Sequence, residues 1–225
     1  NLDYSMIKAK ESVVFDGNGP VNTITGASPS YVSFDVAIKG RAAHAGVEPE
    51  KGLSAIRIAT ELIQSLPQGR LDEETTFNVG LISGGTVRNA VPSDATFGGE
   101  FRSRNVETLD SLRMQVVSTL EAARKKYADA TIQEELEVLF HMYNLDPNDP
   151  IVRLTTGVMT DMGLTPDIRP SGGGTDANAM RLHGIDCVVV GMSTNEMHTV
   201  NEYVIVPDLV NTARFCQMVM AANRS

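Results

Sequence analysis

The residues best equipped for chemistry stand where this sequence turns. His198 lies in Gly191-Met192-Ser193-Thr194-Asn195-Glu196-Met197-His198-Thr199-Val200-Asn201-Glu202, directly after the apolar run Ile185–Val190. Asp16 follows Val13-Val14-Phe15 and precedes Gly17-Asn18-Gly19-Pro20. His44 sits in the Gly40–Gly52 loop, Asn89 follows the Gly84-Gly85 turn, and Arg102 ends an alternating segment. Ser171-Gly172-Gly173-Gly174-Thr175-Asp176 opens a helical pattern, and its glycines let backbone N–H groups approach an anionic ligand at a helix start. An Asp and a His far apart in sequence, both at strand ends, fit metal ligation, yet two donors fall short of the roughly three or four protein ligands of a zinc site. Each feature also has a plainer reading. Asp-Gly is a common turn signal, a lone loop histidine is often solvated, and a triple glycine is often only a turn. Other templates fail: there is no G-x-x-x-x-G-K-[ST] and no H-E-x-x-H, and Gly191-Met192-Ser193-Thr194-Asn195 misses the last glycine of G-x-S-x-G.

The elements that must position these residues can be read from periodicity. Tyr4–Ala9 reads as the tail of a helix and Val13-Val14-Phe15 as a short buried strand. Val32, Phe34, Val36 and Ile38 alternate with Tyr31, Ser33, Asp35 and Ala37, which predicts a half-buried strand. Leu53, Ile56, Ala59, Ile63 and Leu66 recur at helical spacing, and Pro67-Gln68-Gly69 ends that helix. Phe77, Val79 and Leu81 alternate, then Ala95, Phe97, Gly99 and Phe101, with Glu100 and Arg102 on the opposite face. Leu109, Leu112, Val116, Leu120, Ala123 and Tyr127 predict a longer helix, and Ile132, Glu134, Leu136, Val138, Phe140 and Met142 a last strand. The order β-α-β-β-α-β over residues 31–143 is the ferredoxin-like arrangement, whose edge strands are natural places for dimer pairing.

Residues 144–225 change character. Asn144–Pro150 is a linker, Ile151–Met162 a helix stopped by Gly163, and a final helix runs from about Asp208 with Leu209, Ala213, Cys216 and Met220 on one face. The continuous run Ile185–Val190 predicts a strand buried on both faces, as in a parallel sheet. Sites in such proteins lie beyond the carboxyl ends of the strands. The expected organisation is an α/β domain, residues 1–30 and 144–225, interrupted by the ferredoxin-like domain of residues 31–143.

Composition narrows the partners. The 225 residues carry a net charge of −9, which disfavours nucleic acid, and no apolar run approaches a membrane span, so no membrane partner is expected. Hydrophobic residues make up 42%, enough for an ordinary core. Cys187 and Cys216 have neither metal nor redox spacing and suit a reducing, cytoplasmic compartment. The chain opens on Asn1 without a methionine, so it is expected to be a piece of something longer.

An ordered set of short motifs spans nearly the whole chain: Phe15-Asp16-Gly17-Asn18-Gly19-Pro20; Gly40-Arg41-Ala42-Ala43-His44-Ala45-Gly46 with Pro49-Glu50-Lys51-Gly52; Gly84-Gly85-Thr86-Val87-Arg88-Asn89-Ala90-Val91-Pro92; Glu100-Phe101-Arg102-Ser103; Gly173-Gly174-Thr175-Asp176-Ala177-Asn178; and His198-Thr199-Val200-Asn201-Glu202. In this order they resemble the di-zinc metallopeptidases that include peptidase T, acetylornithine deacetylase and glutamate carboxypeptidase, and most of all the peptidase T-like branch. The resemblance implies a zinc domain split by a ferredoxin-like lid that also makes a homodimer. It implies that Asp16 binds one zinc and His198 the other. It implies that His44 reaches the partner subunit's site to stabilise the oxyanion, that Asn89 and Arg102 hold the substrate's backbone or carboxylate, and that Gly173, Gly174 and Thr175 line the same cleft. Glu202 would steady the His198 loop or stand solvated.

The family's His-x-Asp motif, bridging Asp and Glu-Glu pair precede the position matching Asp16 and are expected to lie ahead of this chain. The parent protein is therefore expected to carry two zinc ions per subunit, with cobalt or manganese as alternatives, and to remove the N-terminal residue of short peptides. This chain alone is expected to hold little metal and to be inactive. Two alternatives stand beside that reading: a deacylase of N-acyl amino acids in the same family, and a non-catalytic dimerisation or ligand-binding module.

Overall fold

A computed structural model describes residues 2–222. In chain order the elements are β1 (Glu11–Gly17), β2 (Thr23–Ser28), β3 (Ser30–Lys39), α1 (Ala55–Ser65), β4 (Gly69–Arg70), β5 (Thr75–Gly84), β6 (Asp94–Ser103), α2 (Val106–Lys126) and β7 (Thr131–Phe140). There follow β8 (Tyr143–Asn144), α3 (Pro150–Asp161), β9 (Asp167–Pro170), α4 (Asp176–Leu182), β10 (Asp186–Gly191), β11 (Thr194–Asn195), β12 (Tyr203–Val204) and α5 (Val206–Ala222). They group into two compact units, one being Ser30–Phe140 and the other the segments up to Pro29 and from His141 onward.

In the Ser30–Phe140 unit an antiparallel sheet runs β4-β5-β6-β3-β7. Strand β3 lies between β6 and β7, in register from Ser30↔Ser103 to Lys39↔Asp94 on one side. Val32, Phe34, Val36 and Ile38, every second residue, are each 1% exposed, because only one face of the sheet is covered. The covering helices begin at side-chain caps: Ser54 accepts the Arg57 N–H and Asn105 the Thr108 N–H. Leu109, Leu112, Val116, Leu120 and Ala123 of α2 join the core beside the Phe77 and Phe101 rings, which stack at 5.5 Å.

Three details of this unit differ from the periodicity reading. The buried face of α1 is Ala55, Ile58, Ala59 and Leu62, and Ile56 lies at its exposed margin. In β5 the register slips between Val79 and Leu81, a bulge at Gly80. Leu81 therefore faces Gly98 and Ile82 faces Phe97, which moves Leu81 off the face of Phe77 and leaves it 70% exposed. Met142 lies past the end of β7.

The other unit holds a mixed sheet. Strand β1 pairs parallel with β10, β10 pairs antiparallel with β2, and β2 pairs parallel with β9 and antiparallel with β8. The Ile185–Val190 run is thus a buried strand in a parallel pair, as expected, while β2, which periodicity did not identify, runs against β10 and makes the sheet mixed. The continuous apolar run is explained by two cores. Val188 and Val190 pack with Ile24, Met159 and Phe215, while Cys187 and Val189 pack with Tyr143 and Ala177. Pro150 starts α3, and Gly163, at φ 74°, follows its end. The segment read as a helix tail at the start is a single turn, Tyr4–Met6, capped by Asp3. In α5 the buried residue is Phe215, and the expected face is open, with Leu209 and Met220 about half-exposed.

Candidate functional site

Strands β1 and β10 end side by side, and that junction sets the first cluster. Phe15 pairs with Val190 and Gly17 with Gly191, and the register breaks between them at Asp16, whose side chain is exposed. Beyond the break the two chains are laced together. Met192 N–H donates to Gly17 O at 3.0 Å, Ser193 N–H to Gly19 O at 2.7 Å, and Gly19 N–H to Thr194 O at 2.8 Å. A Cβ at Gly191 would sit 2.1 Å from Pro20 O, so only glycine permits this approach.

Strands β11 and β12 then pair, Thr194↔Val204 and Asn195↔Tyr203, and close a loop whose outer part carries His198. Ser193, Glu196 and His198 have φ of 71°, 52° and 66°. Left-handed backbone at three non-glycine residues is strained and persists only where surroundings impose it. Here they do: Ser193 Oγ lies 2.8 Å from Thr212 Oγ1, and the Glu202 carboxylate accepts the His198 backbone N–H at 3.0 Å. Asp16 and His198 thus stand at one end of the same parallel strand pair, on exposed positions.

The glycine turn belongs to the same unit, and it is built for rigidity. Thr175 caps α4 in a capping box with Asn178, whose side chain accepts the Thr175 N–H at 2.9 Å. Asn178 is buried and donates to His141 O at 2.7 Å. Ser28 Oγ donates to Gly173 O at 3.0 Å, and Gly173 N–H to Ser171 Oγ at 3.0 Å. Sequence reasoning gave Asn178 and Ser28 no role. The Thr-x-x-Asn spacing of a capping box was the signal for Asn178.

In the Ser30–Phe140 unit the structure brings His44 and Asn89 together. Ala45 N–H donates to Asn89 O at 3.0 Å and Val91 N–H to Ala43 O at 2.9 Å, with a bridge between His44 and Ala90. His44 Nδ1 accepts the Gly46 N–H at 3.2 Å, so a neutral ring carries its proton on Nε2, where it is a donor. Arg102 lies elsewhere. Its guanidinium meets Glu100 at 2.6 Å and stacks 4.4 Å from the Tyr31 ring centroid. The His44 loop follows the Lys39 end of β3 and the Asn89 loop leads into β6 beside it at Asp94, whereas Arg102 sits near the other end of β6, about 26 Å from Asp94 at strand rise.

Among the described residues no three His, Cys, Asp or Glu side chains are grouped to hold a metal. Asp16 and His198 are two donors, fewer than a zinc centre takes. The described residues therefore do not by themselves fit a metal site, and no chemical step follows from one. Also among the described residues, no helix is long and apolar enough to cross a membrane.

Comparison with known proteins places this geometry. The peptidase dimerisation domain family matches residues 27–128. The chain is 36% identical over 220 residues to an uncharacterized protein, YqjE, of Bacillus subtilis, covering 98% of this chain and 58% of that protein. The crystal structure of aminopeptidase PepT from Bacillus cereus aligns with a TM-score of 0.85 at 34% identity, covering 97% of this chain and 58% of that one. A tripeptidase from Staphylococcus aureus aligns with a TM-score of 0.88 at 25% identity, again over 97% of this chain and 58% of that one. The chain thus spans somewhat over half the length of the relatives it matches. It carries an M20-type peptidase dimerisation domain and is homologous to peptidase T and the M20-family peptidases.

Proposed function

We propose that the parent protein is a metal-dependent exopeptidase that removes the N-terminal residue of short peptides, and that it works as a cytoplasmic homodimer. The observation that carries this reading is the likeness, over nearly the whole chain, to an aminopeptidase and a tripeptidase. Residues 1–30 and 144–225 are then part of the α/β catalytic domain, and residues 31–143 a ferredoxin-like lid that dimerises. Asp16 and His198 each give one ligand to a centre of two zinc ions, or cobalt or manganese. The remaining ligands and the general base come from outside this chain, which is inactive alone.

The chain's own residues bind and orient. His44 offers its Nε2 proton to the oxyanion of the tetrahedral intermediate, where a donor in a closed site counts for most. Asn89, held to the His44 loop, offers an amide beside it. Arg102 takes the peptide carboxylate with N–H groups in a planar fork. The length of β6 keeps Arg102 of one copy out of reach of a small peptide held by His44 and Asn89 of that copy. A site shared between two copies resolves this: one supplies His44 and Asn89, the other Arg102. The Gly173-Gly174-Thr175 turn lines the cleft as a rigid wall.

The test is a hydrolysis panel on the whole parent protein with free tripeptides, free dipeptides and N-acyl amino acids. Release of the N-terminal amino acid from tripeptides is the expected result. Turnover of N-acyl amino acids alone would replace the aminopeptidase with a deacylase. No turnover of either, by a protein that dimerises normally, would leave only a dimerisation module.

A further inference from the structure

Tyr31 and Phe140 are aromatic, yet neither joins the aromatic core of the Ser30–Phe140 unit, where the rings of Phe34, Phe77, Phe97 and Phe101 pack beneath the helices. Tyr31 stands instead on the uncovered face, the side of β3 that also carries Ser33 and Asp35. It is half-buried there, and so is Phe140. Register explains how the two meet. The β3–β7 pairing shifts between Tyr31 and Val32, so Val138 faces Val32 while Phe140 faces Tyr31. Leu139 is the extra residue of this bulge and is 47% exposed. Without the bulge Leu139 would oppose Tyr31. With it, Phe140 meets the Tyr31 ring edge-on, centroids 5.3 Å apart at 68°.

Arg102 lies on the other side of Tyr31, its register partner across β3 and β6. Its guanidinium is 4.4 Å from the Tyr31 ring centroid, within the range at which an aromatic face attracts a cation. Arg102 Nε donates to Glu100 Oε2 at 2.6 Å, and Glu100 stands one row along the same face. The two side chains are only 27% and 24% exposed, so salt screens this pair less than one at an open surface. A free arginine side chain has many rotamers, and holding its fork in one plane costs conformational freedom. Here Glu100 fixes one edge of the fork, Tyr31 fixes its face, and Phe140 fixes Tyr31.

We propose that Tyr31 is a positioning residue for Arg102: it sets the guanidinium plane in advance, so that Arg102 selects peptides with a free terminal carboxylate over peptides without one. Tyr31 acts through Arg102 and needs no contact with the peptide itself. The inference deepens the exopeptidase reading and rests on it, since that reading gives Arg102 the carboxylate. A fork already held in place loses little freedom on binding, and a two-point contact with a carboxylate depends on the plane of the fork. A C-terminal amide offers one acceptor oxygen beside an NH2 group, so it cannot meet the fork at both points. The bulge at Leu139 then acts on the site, because it is what aims Phe140 at Tyr31.

The experiment compares a tripeptide with the same tripeptide amidated at its C-terminus, each offered to the whole parent protein. The wild type is expected to favour the free acid. Tyr31→Leu is expected to raise KM for the free acid by about tenfold with kcat nearly unchanged, and to leave both constants for the amide as they were. Tyr31→Phe keeps the ring and is expected to behave as the wild type. A general loss of structure would move acid and amide together, so equal effects on both substrates overturn the positioning role. A Tyr31→Leu variant that keeps the full preference for the acid also overturns it, and the exopeptidase reading survives either result. A wild type that cleaves acid and amide equally well removes the carboxylate role of Arg102, and one that cleaves neither removes the exopeptidase; the inference falls with each. Should Tyr31→Leu fail to fold, Phe140→Leu, which removes only the brace, decides. A smaller rise in KM confined to the free acid supports the assignment, and no rise overturns it.

Discussion

The carbonyl oxygen of Asn89 accepts the peptide N–H of Ala45 at 3.0 Å, so the His44 loop and the Asn89 loop are one structure. The imidazole proposed for the oxyanion and the amide proposed for the substrate are then positioned by backbone, whatever the side chains do. Replacing either side chain should therefore change chemistry and leave architecture alone. His44→Ala in the whole parent enzyme is expected to lower kcat by about 100-fold or more, within the range for loss of an oxyanion donor. Dimerisation and thermal stability should be unaltered. Steady-state kinetics alongside ultracentrifugation checks this, and an unchanged kcat removes His44 from the mechanism.

Gly191 makes the other loop cluster possible. Its Cα approaches the Gly19 and Pro20 carbonyls so closely that an alanine methyl would lie 2.1 Å from the Pro20 oxygen. Backbone cannot yield as a side-chain tip can, so β1 and β10 would have to separate at the point that carries Asp16. Gly191→Ala is expected to destabilise the chain by about 3 kcal/mol or more, at the upper end of overpacking costs. Urea denaturation measures it. A loss under about 1 kcal/mol would mean that the strand ends tolerate separation.

How much of this was legible beforehand follows from where the information lies. The faces of β3 and α2 are one-sided, so Val32, Phe34, Val36 and Ile38, and Leu109 through Ala123, announced their burial by period alone. Helix α5 resisted because Val206, Leu209, Val210, Phe215 and Met220 give apolar residues in several directions. Which of them is buried depends on the packing of α3 and β10 around Phe215, not on period. The bulge at Gly80 also hid, since nothing local distinguishes a glycine that shifts register from one that does not. For the site, strand-end positions of Asp16 and His198 could be read from flanking apolar runs. The joining of the His44 and Asn89 loops could not, because it depends on a bridge between segments far apart in the chain. Nor could the left-handed backbone of Ser193, Glu196 and His198, since none is a glycine.

Asn178 tests the glycine turn. Its side chain is 3% exposed and holds the Thr175 N–H, the His141 carbonyl and the Ser28 hydroxyl at once. Truncation strands those buried partners and deletes half of the capping box. Asn178→Ala is expected to cost about 2–4 kcal/mol, more than a cap alone, because unpaired buried groups add their desolvation. Asn178→Asp keeps the acceptor for Thr175 but loses the donor to His141, so thermal unfolding should show it damaged as well. If the alanine variant unfolds at the wild-type temperature, the network is not what holds the turn.

Acid should loosen α1 from α2 through a single carboxylate. Glu61 accepts from the Lys126 ammonium at 2.6 Å and from the Tyr127 hydroxyl at 2.5 Å. These contacts, Lys126 first, hold the Glu61 carboxyl at a pKa of about 2 in the folded chain, against about 4.3 for a free glutamate. Because the folded value is the lower one, the unfolded state binds the proton more readily as pH falls. The stabilisation is therefore complete above the ordinary glutamate value and is lost progressively as pH drops from about 4.3 toward about 2. Salt should shrink the effect, since both partners are open to solvent. Urea unfolding from pH 6 to pH 2 is expected to show a steeper stability loss in the wild type than in Glu61→Gln, with the two curves drawing together at the acid end. Parallel curves across that range would mean that the tie contributes nothing to holding the helices together.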